Sequence, residues 1–200
     1  MAKAKSKPIK QPDYMFSKIN KHFFDRESVD QAVLILASEI TAESASNIVG
    51  EILTLNFADP EDRPEVINLL ITTPGGDLDA AIALIDAIRG SRIPVRTIAT
   101  GRCNSAGLCI LMSGHQRVAT QYTALMSHQY STGMEGNYND LKTAAREFDN
   151  YYAKMVDIYA KFTGTAKSRI EQELLNHSDV WLTPQSAVEY GIIDLISTMD

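Results

Sequence analysis

The feature that most constrains the fold of this chain is a threefold alternation, in its first half, of short apolar runs with helical patterns. Ala32 to Ala37 (AVLILA), Val66 to Thr72 and Val95 to Thr100 are short, apolar and rich in β-branched residues, as buried strands require. Each is followed by a helix signal. After the first, Thr41 is placed to cap a helix that buries Ile48, Ile52 and Leu55. After the second, and after the turn Pro74-Gly75-Gly76, Leu78, Ala81, Ile82, Ile85 and Ile88 recur at helical spacing behind a capping Asp77. After the third, Ser105, Ala106 and Gly107 open a helix, Leu108 to Ser113, that is apolar all round and therefore buried. Strand, helix, strand, helix, strand, helix requires right-handed crossovers and a mostly parallel sheet.

Two further short strands follow, Arg117 to Thr120 and Ala124 to Ser127, the second running into His128. The pattern then changes. Leu141, Ala145, Phe148, Tyr152, Met155, Tyr159 and Phe162 alternate steps of four and three until Gly164 stops the helix. Such a stripe usually packs on its own core, but a helix over about 139–162 would be about 36 Å long, more than a domain of this size needs, which points equally to a helix that protrudes and packs partly against a neighbouring subunit. The chain closes with a helix near Ile170 to Leu175, a second with Thr183 as N-cap and Pro184 in its first position, a stop at Gly191 and a last strand, Ile192 to Ile196. Residues 1–30 lack clear periodicity and read as an N-terminal arm, which the family resemblance given below would make an axial segment; residues 31–200 read as one domain.

Composition narrows the function classes. No apolar run approaches the roughly 20 residues that cross a bilayer, and Lys3, Lys5, Lys7 and Lys10 are not followed by the apolar core of a signal peptide. No membrane partner is expected, and a cytoplasmic location is. Without those four lysines the formal charge of −6 becomes about −10, which gives no footprint for nucleic acid. Cys103 and Cys109 have no histidine at a zinc-like spacing beside them, so neither a metal site nor a disulfide framework is expected.

The candidate chemistry is acyl transfer, which needs a nucleophile, a base, a group that orients the base, and N–H donors for an oxyanion. Ser105, in Gly101-Arg-Cys-Asn-Ser-Ala-Gly107, sits at a strand-to-helix junction where the Ala106 N–H points at developing negative charge. From the local sequence alone its plainer reading is an N-cap serine. Gly76 offers a second N–H at the same edge of a parallel sheet, although Gly-Gly after a strand is more commonly a tight turn. His128 ends an apolar strand, where a lone histidine is more often structural. Asp179 reads equally as a third catalytic member or as a turn cap before Trp181.

Four segments, in order, resemble the Clp protease proteolytic-subunit family. They are the strand with Pro-Gly-Gly at 66–76, Gly-x-x-x-Ser-x-Gly at 101–107, Met126-Ser-His-Gln129, and Asp179-Val-Trp-Leu-Thr-Pro-Gln-Ser-Ala-Val-Glu-Tyr-Gly191-Ile-Ile-Asp194. The resemblance covers about residues 32–196. It implies an α/β, ClpP/crotonase-like fold of repeated β-β-α and βαβ units with a protruding handle helix. It also implies a serine endopeptidase with Ser105 as nucleophile, His128 as base, Asp179 as third member, and Gly76 and Ala106 as oxyanion donors. The implied assembly is a homo-oligomer of heptameric rings, two of them stacked through the handle, enclosing a chamber that receives unfolded polypeptide. No cofactor is implied, since ATP is consumed by an AAA+ unfoldase partner and not bound by this chain.

The strand after Gly114 and the turn around Gly133 to Gly136 are expected to hold the substrate extended. The chain departs from the family pattern at Ala106, where methionine is common, at Tyr130, where proline is common, and at Val180, where an arginine often stands. The unfoldase-docking positions, aromatic-rich in the family, fall at Asn68, Leu70 and near Gly90. Two other readings remain at this stage: a non-catalytic or regulatory subunit of a mixed ring, and a crotonase-like acyl-CoA enzyme with paired glycine-rich oxyanion loops.

Overall fold

The computed structural model describes residues 30–131 and 133–197. The expected N-terminal arm thus lies, but for Asp30, outside the described residues. The elements alternate as the apolar runs require: β1 (Gln31–Leu36), α1 (Ala42–Phe57), β2 (Val66–Thr73), α2 (Leu78–Gly90), β3 (Val95–Asn104), α3 (Ala106–Met112) and β4 (Gln116–Thr120). After them come β5 (Ala124–Ser127), α4 (Tyr138–Thr163), α5 (Lys167–Glu173), β6 (Val180–Leu182), α6 (Pro184–Glu189) and β7 (Leu195–Ser197). Local chemistry sets the helix starts. Thr41 and Ser44 form a reciprocal capping box for α1, Asp77 caps α2 through the Ala80 N–H at 2.7 Å, and Asn137 and Asp140 do the same for α4. Gly164, in the left-handed region, ends α4.

The sheet runs β1-β2-β3-β4-β7, parallel throughout. β3 is longer than the apolar run predicts because it changes partner along its length. Arg96 to Ala99 pair with β4, whereas Arg102 to Asn104 pair with β5. That switch carries β3 through to Asn104, directly before Ser105. β6 then pairs antiparallel with β5. Two other boundaries differ from expectation. The helix near Ile170 begins at Lys167, and the last strand begins at Leu195, not Ile192. Ile192 is buried but donates its N–H to Ala187 O at 2.8 Å, so it closes α6 and cannot also serve the ladder.

The helices pack on the sheet through Ile48 and Ile52 of α1, Leu84 and Ile88 of α2, and α3, every residue of which is buried. Leu70, Ile98 and Val118 form a separate small apolar cluster. α4, with 26 residues, is about 39 Å long. Its C-terminal half is anchored by the buried Met155, Val156 and Tyr159, while Tyr138, Leu141 and Ala145 in the first half are exposed. The helix therefore protrudes, as its length requires.

Two polar ties fix the base of α4. Arg117 forks onto the Asp194 carboxylate and donates to Phe162 O at 3.0 Å and Gly191 O at 2.6 Å, joining β4, α4 and the approach to β7. Burial acts to raise the Asp194 carboxyl, but Arg117 outweighs it and holds the group below the ordinary carboxylate range. The second tie is fully buried: the hydroxyls of Ser127 and Tyr159 are 2.8 Å apart, and Ser127 Oγ donates to Leu174 O at 2.8 Å. Ser127 has Leu174 O as its acceptor, so the Tyr159 hydroxyl is the donor in the hydroxyl pair. Tyr159→Phe removes one buried hydrogen bond from this set and should lower unfolding free energy by about 1 kcal/mol, read from denaturant melts at matched protein concentration. An unchanged midpoint would mean that the bond contributes nothing net.

Candidate active site

Ser105 follows the last residue of β3 and precedes the first of α3. Among the described residues it is the one non-glycine with positive φ, at φ 55 and ψ −126. Such a conformation costs of order 1–3 kcal/mol and persists only where the surroundings impose it. Here they do. The Ser105 N–H donates to Met126 O at 2.8 Å, and Ser105 O accepts from Leu108 N at 2.9 Å. The side chain makes no capping hydrogen bond, which removes the N-cap reading. Instead Ser105 Oγ lies 2.7 Å from His128 Nε2. This is hydrogen-bond distance, with the ring nitrogen placed to take the hydroxyl proton.

The loop before α2 leaves room for that pair. Gly75 has φ 104, and a Cβ there would fall 2.7 Å from Ser105 Cβ and 2.9 Å from Asn104 O. Gly76 has φ 145, and a Cβ there would fall 2.2 Å from Ile40 O. Neither position admits a side chain. The loop is held by Ile40 N–H to Gly75 O at 2.8 Å and Asp77 N–H to Ile40 O at 2.9 Å. Gly76 and Ala106 both line a cleft of about 340 Å³ that also holds Ser105 and His128. Pro74, Leu78, Tyr130, Ser131 and Met155 complete its walls. Leu78, Ser131 and Met155 were not reachable by motif, and Tyr130 stood out only as a departure from the family pattern. Met155 lay on the apolar stripe of the long helix and Leu78 in the first turn after the cap, positions that sequence explains by packing alone.

Asp179 is placed differently. β5 and β6 pair Ser127 with Val180, so His128 directly follows, and Asp179 directly precedes, the last pair of that antiparallel ladder. Yet Asp179 is exposed, and among the described residues no hydrogen bond joins it to His128. The structure brings together Ser105, His128, Gly76 and Ala106, and leaves Asp179 beside them but unjoined. His115 is structural: its N–H donates to Val95 O at 2.8 Å and its Nδ1 accepts from Val95 N–H at 3.1 Å, while burial, with Arg89 nearby, lowers its pKa. Burial pushes the Cys109 thiol up to about 12 and Cys103 higher, which keeps both inert. Among the described residues no group of three or more His, Cys, Asp or Glu is placed to hold a metal, and no helix is long and apolar enough to cross a membrane.

One expectation about substrate is corrected. The strand after Gly114, β4, lies between β3 and β7 in the sheet, so its backbone groups are already paired and it offers no edge to a peptide. Of the positions matched to partner docking, Asn68 and Leu70 are buried in β2, with Asn68 Nδ2 donating to Gln31 Oε1 at 3.0 Å, and Gly90 ends α2.

Comparison with known proteins adds four findings. The Clp protease family model matches residues 20–200. An ATP-dependent Clp protease proteolytic subunit of Deinococcus radiodurans is 31% identical over 166 residues, 82% of this chain and 79% of the relative. The corresponding subunit 1 of Chlamydia muridarum is 30% identical over 174 residues (85% and 88%), and subunit 2 of Thermobifida fusca is 33% identical over 170 (84% and 81%). These similarities favour neither the acyl-CoA enzyme nor the non-catalytic subunit.

The glycine geometry makes a prediction that needs no substrate. Gly75→Ala should slow capture of Ser105 by a serine-reactive phosphonate at least about tenfold, because the new methyl must displace the Ser105 backbone or its own loop. Circular dichroism should show the fold retained. A labelling rate equal to that of the unmodified protein would mean that this loop does not shape the serine's surroundings.

Proposed function

The chain belongs to the Clp protease family and has its ClpP/crotonase-like fold and its peptidase activity, and on that premise we propose that it is a serine-type endopeptidase in which Ser105 is the nucleophile. The observation that carries this reading is the 2.7 Å contact between Ser105 Oγ and His128 Nε2, at a strained strand-to-helix junction that opens on a cleft. Ser105 Oγ attacks the peptide carbonyl while its proton passes to His128 Nε2. The carbonyl oxygen gains the electron pair and is met by the N–H groups of Gly76 and Ala106. The tetrahedral adduct collapses, the proton on His128 goes to the leaving amine, and the acyl-enzyme is hydrolysed by a water that His128 deprotonates. Asp179 is the third member. With Nε2 turned to Ser105, the imidazole has Nδ1 left for a carboxylate, and the β5–β6 ladder, which ends at Ser127 and Val180 beside His128 and Asp179, supports Asp179 in that role.

The reading extends to assembly. The protruding half of α4, with Tyr138 and Leu141 exposed, fits a handle through which two heptameric rings interlock around a chamber. The relatives are named ATP-dependent, and by that likeness an AAA+ unfoldase uses the ATP and supplies unfolded polypeptide, while this chain itself binds no cofactor. The location that fits is cytoplasmic. Docking of the partner near Asn68, Leu70 and Gly90 would rest on amide and aliphatic contacts where the family carries aromatic ones.

The test is chemical. A fluorophosphonate probe should label the purified protein, and Ser105→Ala should abolish labelling and lower peptide hydrolysis by several orders of magnitude; labelling that survives Ser105→Ala would remove the serine from its role. His128→Ala and Asp179→Asn should each lower kcat by about 10²-fold or more without dissolving the assembly on a sizing column. Full activity in Asp179→Asn would leave a Ser105–His128 dyad as the whole machinery.

A further inference from the structure

Tyr130 stands two residues beyond His128 and lines the cleft together with Leu78 and Met155. Leu78 and Met155 are 6% and 2% exposed, so they form the floor, and the half-buried Tyr130 forms a side wall between that floor and solvent. This wall is unusually well held for a loop residue. Its ring stacks on Tyr151 of α4, with centroids 4.9 Å apart and planes 14° from parallel. Phe148, one helical turn earlier, meets it at 6.1 Å and 48°. Tyr151 is fixed in turn: its hydroxyl donates to Asp79 Oδ2 at 2.6 Å, and Lys154 Nζ lies 4.6 Å from its ring centroid. The hydrogen bond to Asp79, with lesser help from desolvation and nearby charge, pushes the Tyr151 hydroxyl up to about 12, so it remains a donor at neutral pH.

Asp79 directly follows Leu78 in the first turn of α2. The bond that steadies the wall therefore also ties it to α2, the helix that carries the floor residue Leu78. We propose that Tyr130 is the specificity-determining residue of this site, with Tyr151 and Asp79 as positioning residues. The wall admits a narrow apolar side chain such as leucine or methionine toward Leu78 and Met155, and turns away the wide, rigid indole of tryptophan. A mobile loop would yield to a larger side chain. A stacked ring with its neighbour hydrogen-bonded to another helix does not, and the misfit appears as lost binding.

The proposal rests on the reading of Ser105 as nucleophile only for which substrate residue is meant, the one whose carbonyl is attacked. The experiment separates the two ideas. Two N-acetyl peptide acids, identical but for a C-terminal leucine or tryptophan, are titrated calorimetrically into the full chain carrying Ser105→Ala, so that no step depends on catalysis. The leucine peptide should bind at least about fivefold more tightly. Adding Tyr130→Ala should level or invert that ratio, a change of about tenfold, and Tyr130→Phe should preserve it because the ring and its stack remain. Tyr151→Phe, which keeps the stack but loses the bond to Asp79, should move the ratio part of the way and serves as a second variant should Tyr130→Ala fold poorly. With Ser105 present, the ratio of kcat/KM for matched substrates should change in the same sense. An unchanged ratio in both Tyr130→Ala and Tyr151→Phe, or an equal loss for both peptides, would overturn the proposal. Absence of probe labelling at Ser105 would overturn the nucleophile instead, with the binding ratio still deciding the role of Tyr130.

Discussion

The arrangement depends on one backbone hydrogen bond, from Ser105 N–H to Met126 O at 2.8 Å. It is the last rung of a parallel pairing that begins at Arg102 and Ala124. Because Met126 receives that rung, His128 emerges two residues further along the same segment, level with the Ser105 hydroxyl. The rung also holds Ser105 in a conformation that an L-residue otherwise avoids. Without it the chain would relax toward an ordinary helix start, the serine side chain would turn to cap α3, and the plainer reading of that residue would be the correct one. The contact between Ser105 and His128 is thus a consequence of strand register.

Register of this kind requires rigid surroundings, and polar groups supply much of the rigidity. The change of partner along β3, from β4 to β5, opens the sheet where the cleft lies. Such an opening would collapse or slide if its rim were held by apolar contact alone, because apolar packing is non-directional. The Ser127–Tyr159–Leu174 set sits directly beneath His128 and fixes β5 against α4 and the end of α5. Arg117 ties β4 to the end of α4 and to the approach to β7. A buried hydroxyl left unpaired costs about 1–3 kcal/mol, so each set disfavours every arrangement except the one that satisfies it. The Gly75–Gly76 loop works by shape instead: its close approach to Ser105 and Ile40 leaves no space into which either could move.

Much of this was legible in the sequence, for identifiable reasons. Apolar β-branched runs separated by capped amphipathic segments leave few topologies, so the parallel core and the helix starts at Thr41, Asp77 and Thr183 could be read locally. The long helix followed from a stripe too long for its own domain. Ser105, His128, Gly76 and Ala106 became a group only through the order of several motifs, since each alone had a plainer structural explanation. What could not be read depends on contacts between segments distant in the chain. Nothing near Thr100 signals that β3 continues to Asn104, because its second partner lies more than twenty residues on. Ile192 and Ile193 look like a strand, yet their N–H groups serve α6. The stack of Tyr130 on Tyr151 joins a loop to a helix, and neither sequence position carries a local sign of it.

The site is therefore unequally secured, and the inequality follows from topology. Ser105 is held by ladder, helix and glycine loop together, and His128 by the buried hydroxyls below it. Among the described residues Asp179 directly precedes β6, a three-residue strand that pairs with β5 alone and carries Trp181, which is 62% exposed. A short edge strand gains little from its ladder and opens at small cost. The serine and histidine are preorganised within the protomer, whereas the aspartate is positioned by an element that any contact along the exposed edge would shift. For the proposed mechanism, nucleophile geometry is then a property of the fold itself, and the orientation of the base depends on what meets the β6 edge.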